Sequence, residues 1–94
     1  MERRKLSETE IAEKLITLHG WTADDGRLRR RFDFSNFAKS LVFVNKAAEL
    51  AEKADHHPDI SFGWGYAEFL LTTHDRGGIT DFDFELARNI DGIE

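Results

Sequence analysis

The sequence predicts an α+β domain: a four-stranded antiparallel sheet with three helices on one face, in the order α-β-β-α-β-β-α. Three observations predict it. Two segments, around residues 27–34 and 60–74, alternate apolar and polar residues with the period of two expected of half-buried strands. Capping patterns open two helices, at Ser7-Glu8-Thr9-Glu10 and Thr80-Asp81-Phe82-Asp83. Between the strand pairs lies a long stretch with helical apolar spacing.

Each element follows in order. The first helix is expected over Glu8–Leu18, with Ile11, Leu15 and Leu18 on one face and Gly20 as its stop. Trp21–Ala23 reads as a short strand, and Asp24-Asp25-Gly26 as a turn. In the next strand Leu28, Phe32 and Phe34 alternate with Arg27, Arg29, Arg31 and Asp33. Arg30 interrupts the apolar face, which places it near an edge or turns its stem outward.

Ser35 fits the N-cap of a second helix, Asn36–Ala54. This helix carries two apolar seams. One is Phe37, Leu41, Val44, Ala48 and Ala51; the other is Phe43, Ala47, Leu50 and Ala54. Together they span more than the roughly 100° stripe that one core needs. One seam is therefore expected on the sheet and the second, Phe43–Ala47–Leu50–Ala54, at a partner helix. Ile60, Phe62 and Trp64 form the third strand, Gly65-Tyr66 fits a hairpin turn, and Ala67–His74 the fourth strand. The last helix packs through Phe84, Ala87 and Ile90.

Ninety-four residues make one domain, with residues 1–6 expected as a flexible tail. A core this small favours oligomerisation. The chain has no cysteine, so disulfides, thiol nucleophiles and cysteine-ligated zinc are excluded. Its net charge of −5 argues against nucleic acid as a partner. The basic runs Arg3-Arg4-Lys5 and Arg27–Arg31 read as a solvated tail and a solvated strand face. No apolar run reaches the ~18 residues of a membrane span, and a cytoplasmic location is expected.

Chemistry concentrates in one region. Glu52, His56, His57 and Pro58 are followed by Trp64, His74 and Asp83. Imidazole both gives and takes protons near neutral pH, so the set points to proton transfer on a small polar substrate. Pro58 holds His57 extended. In a fully extended segment the rings of His56 and His57 would point oppositely, so a shared pocket requires a bend. No histidine pair has the spacing at which two rings on one helix chelate an ion, and no metal is expected. Trp21 and Trp64 offer flat stacking surfaces or core rings.

The run Glu-x3-His-His-Pro-x5-aromatic-x9-His, with Asp nine residues on, resembles the signature of the pterin-4a-carbinolamine dehydratase family. Gly20-Trp21, Leu71-Thr72-Thr73-His74-Asp75 and Phe84-Glu85-Leu86-Ala87 extend the resemblance across roughly residues 6–92. It implies a saddle-shaped homodimer, or a homotetramer joined through helices. It implies dehydration of 4a-hydroxytetrahydropterin to quinonoid dihydropterin without metal or organic cofactor, which recycles tetrahydropterin. By the same resemblance His56, His57 and His74 do acid–base work, while Glu52 and Asp83 orient them. Thr72 and Thr73 offer backbone groups to the pterin, and Trp21 and Pro58 border its pocket. Family members in animals also act as dimerisation partners of a transcription factor. A non-enzymatic scaffold is thus the rival expectation, as is action on another pterin, such as in molybdenum-cofactor metabolism.

Overall fold

A computed structural model describes all residues, 1–94. The elements are α1 (Glu8–Leu15), β1 (Thr22–Asp24), β2 (Arg27–Asp33), α2 (Phe37–Ala54), β3 (Asp59–Gly63), β4 (Tyr66–Leu71) and α3 (Asp81–Asp91). A single 3-10 turn, His74–Arg76, precedes α3. The sheet is fully antiparallel in the order β1-β2-β4-β3, as expected for an α+β domain of this element order. Its inner face carries Leu28, Ala67, Phe69 and Leu71, all fully buried, and shares one core with the buried residues of α2 and α3. The outer face is polar, with Arg29 bonded across strands to Glu68 at 3.0 Å.

The first helix ends three residues earlier than its apolar spacing suggests. After Leu15 the chain tightens into bonds that span three residues instead of four, Thr17 N to Lys14 O and Leu18 N to Leu15 O, the usual way a helix end closes. Its capping box forms as read: Glu10 N donates to Ser7 Oγ, and Ser7 N to Glu10 Oε1. The fork of Arg4 also grips Glu10, at 2.9 and 2.8 Å, and this pairing holds the Glu10 carboxyl down at about 2.

Four further expectations change. The N-cap of α2 is Asn36, not Ser35; its Oδ1 accepts from Lys39 N at 2.9 Å. The hairpin turn is Trp64-Gly65, since Gly63 pairs with Tyr66; Gly65, at φ +83°, takes the second central position, where glycine avoids a steric cost. The first residues are not a free tail from end to end. Leu6 is buried, its amide donates to Ile79 O at 2.8 Å, and Arg3 pairs with Asp75 at 3.2 Å.

The fourth correction concerns α2. The line it buries is Ser40, Val44, Ala47 and Ala51, with Phe43 and Leu50 packed beside it on the same core. The seam Phe43–Ala47–Leu50 therefore faces the chain's own sheet, and Ala54 lies exposed at its end. The large rings come from the sheet. Phe32 and Phe69 stand 4.7 and 6.0 Å from Phe43, which leaves room only for small residues on the inner line of the helix. The large apolar residues left open on α2 are Phe37, Leu41 and Val42.

Candidate active site

The site is built at a bend. α2 ends at Asp55, which adopts a left-handed conformation (φ 51°, ψ 42°). Its amide bonds back to Ala51 and Glu52, and the amide of His56 to Ala51 O. This left-handed residue supplies the bend that two adjacent histidines need. His56 turns inward and is buried; His57 stays exposed, with Nε2 3.1 Å from Glu52 Oε1, one helical turn back.

Inside, His56 Nε2 meets Asp83 Oδ1 at 2.5 Å. Asp83 sits in the first turn of α3 and has no exposed surface. Its other oxygen accepts from the Thr73 hydroxyl and the Thr80 amide, both at 2.9 Å. Thr80 Oγ1 in turn donates to Thr73 Oγ1 at 2.8 Å and accepts from Phe82 N. Every hydrogen in this chain runs toward the carboxylate. An ionised carboxylate only accepts, so His56 Nε2 carries the proton and Nδ1 is left as an acceptor. No protein group bonds Nδ1, and no buried side-chain nitrogen in the molecule lacks a partner, so Nδ1 opens to solvent.

His74 begins the 3-10 turn just past β4 and is exposed. The three histidines line one polar depression of about 240 Å³, together with Arg3, Asp55, Thr72, Thr73 and Asp75. A larger cavity, about 540 Å³, lies between α1 and the β1–β2 turn; it contains no histidine. Proton chemistry therefore favours the smaller site. No group of metal-ligating side chains is positioned to hold an ion.

Other expected site residues fall elsewhere. Trp21 does not line the histidine depression. It is buried, and its indole N–H is taken by Asp91 at 2.9 Å, beside Arg30, which bonds both Asp91 and the His19 carbonyl. Arg30 is thus turned inward rather than outward, over the ring of Phe32. Gly20 stands at φ +87°, a backbone conformation that strains any other residue, and a Cβ there would also displace the Arg30 guanidinium, 2.7 Å away. The Gly20-Trp21 pair is explained by this packing. Pro58 is half-buried behind His57 and is not in the wall. Thr73 gives its amide to Gly78 O and its hydroxyl to Asp83, so any backbone donor to a ligand falls to Thr72.

Two wall residues, Arg3 and Asp75, were missed. Arg3 reaches the depression from the N-terminal segment, held over the Phe82 ring at 5.0 Å and against Asp75. A basic residue in a terminal run carries no sequence signal for this contact; only the burial of Leu6 hints at docking.

The profile of the pterin 4 alpha carbinolamine dehydratase family matches residues 4–93. The chain belongs to this family. A relative from Picosynechococcus sp. is 46% identical over 89 residues, covering 95% of this chain and 97% of the relative. Another, from Rubrobacter xylanophilus, is 51% identical over 94% of this chain and 83% of its own length. Both carry the provisional name pterin-4-alpha-carbinolamine dehydratase. Among solved structures, the transcriptional coactivator/pterin dehydratase from Brucella melitensis superposes with a TM-score of 0.89, at 34% identity over 94% of this chain and 96% of that one. A pterin dehydratase-like protein described as a RuBisCO assembly factor of the alpha-carboxysome gives a TM-score of 0.66, at 26% identity over 78% of this chain and 87% of that one.

Proposed function

We propose that this chain dehydrates a 4a-hydroxytetrahydropterin to the quinonoid dihydropterin. The observation that carries the reading is the convergence of three histidines on one depression, one of them bound through its ring nitrogen to buried Asp83. In the reaction the bond from C4a to its hydroxyl oxygen breaks. The hydroxyl takes a proton and leaves as water. The neighbouring ring nitrogen gives up its proton, and that electron pair closes the C=N bond. One proton is given and one taken, so the site needs an acid and a base and no redox partner.

His56 fits the base. Its open Nδ1 accepts, and a proton arriving there leaves a cation in contact with Asp83. His57, paired with Glu52, and His74 face the same space and fit the acid and the positioning group. General acid–base catalysis of this kind contributes about 10²–10⁴-fold. The product refills the tetrahydropterin pool after reduction.

An interaction role, of the kind named for the two solved relatives, would use the exposed apolar surface of α2 and the β3–β4 hairpin rather than the histidines. The two readings separate in a stopped-flow absorbance assay of freshly generated 4a-hydroxytetrahydrobiopterin. The dehydratase reading expects the wild-type chain to accelerate its decay in proportion to protein concentration. Decay at the buffer rate, with folded protein present, would remove it.

A further inference from the structure

The run Arg3-Arg4-Lys5 is not dispersed in solvent. Arg3, Arg4 and Lys5, with Glu2 and Arg76, line a second depression of about 470 Å³ that contains no hydrophobic residue. It shares Arg3 with the histidine depression, so the two adjoin. Arg76 comes from the same 3-10 turn that presents His74. Four cations thus converge beside the histidines in a chain whose net charge is −5.

Their pairing is unequal. Arg4 is consumed by Glu10 and Glu2. Arg3 gives only Nη1 to Asp75, which leaves its Nε and Nη2 donors unspent. Its guanidinium is held in place by the ring of Phe82, itself 6.0 Å from the ring of His56. Lys5 and Arg76 form no ion pair with any carboxylate. A fixed guanidinium with free donors, next to two unpaired cations, is a receptor for a compact anion of more than one charge. A phosphate ester carries between one and two negative charges at neutral pH and three acceptor oxygens. A ring seated among His56, His57 and His74 has this depression as its neighbour, where a side-chain substituent would extend.

We infer that the pterin bound here carries a phosphate ester on its side chain, recognised by Arg3, Lys5 and Arg76. This rests on the reading of the histidine depression as a pterin site. The test is a fluorescence titration of the full chain with two unreactive probes, 7,8-dihydroneopterin and its monophosphate. It compares wild type with a Lys5→Gln, Arg76→Gln double variant whose fold is verified by circular dichroism. Wild type is expected to bind the phosphorylated probe at least about tenfold more tightly than the neutral one. That ratio should shrink as salt rises and collapse toward one in the double variant. Equal affinities in wild type, no binding of the monophosphate, or a ratio unchanged in the double variant would overturn the inference. Turnover of the carbinolamine in stopped flow, offered both neutral and as its phosphate ester, reports on the dehydratase reading separately. Turnover without phosphate preference sinks only the inference; preference without turnover sinks only the dehydratase reading.

Discussion

At the scale of single residues, Asp83 organises the site. It is fully shielded, yet three donors converge on it: the His56 ring, the Thr73 hydroxyl and the Thr80 amide. An Asp83→Asn variant can keep the last two by placing its amide oxygen where Oδ2 stands. Its NH2 then faces His56 Nε2 and forces the proton to Nδ1. The expected outcome is a folded protein, destabilised by about 1.5–3 kcal/mol, whose dehydration rate falls by about 10²-fold or more. Nitrogen-15 NMR of the His56 ring should show the tautomer reversed; an unchanged tautomer would contradict this role. The histidines, Glu52 and Asp83 were legible in the sequence because their spacing fits a known signature. Trp21 was not, because the partner that satisfies its N–H is Asp91, 70 residues away in sequence and fixed only by the tertiary fold.

At the scale of elements, the fold was legible wherever local chemistry decides. The capping boxes of α1 and α3 and the alternation of β2 and β4 all appear as read. The face of α2 was not legible. Periodicity identified two apolar flanks but could not say which one the sheet would accept. The sheet accepted neither flank whole: under the rings of Phe32 and Phe69 the buried line, Val44, Ala47 and Ala51, draws on both. The N-terminal segment shows the same limit. Its charged run looks like tail, while Leu6, 4% exposed, ties it to Ile79 and so brings Arg3 to the site. Leu6→Ala should therefore cost about 2–5 kcal/mol in urea unfolding, as core leucines do. A free tail would show a change within about 0.5 kcal/mol.

At the scale of the whole molecule, the open apolar surface is continuous in chemistry and distinct from the histidine site. Phe37 packs its ring 5.7 Å from Phe62, and both are exposed, as are Leu41, Val42 and Trp64. Beside them β3 is an edge strand with one side unpaired. An exposed edge flanked by apolar side chains calls for cover, and a second copy of the chain is the expected occupant. Sedimentation should show an assembly larger than the monomer. Phe37→Glu with Leu41→Glu should reduce its mass while circular dichroism stays folded. Phe43→Glu with Leu50→Glu should instead unfold the chain, because those residues pack on its own core. A monomeric wild type would contradict the expectation. The central claim, that three histidines converging on one depression carry out the dehydration, is tested most directly by stopped-flow decay of 4a-hydroxytetrahydrobiopterin. Wild type would be measured beside His56→Ala, His57→Ala and His74→Ala, each verified as folded. The account predicts acceleration by wild type and a loss of at least about tenfold in each variant. Full activity in all three variants would contradict it.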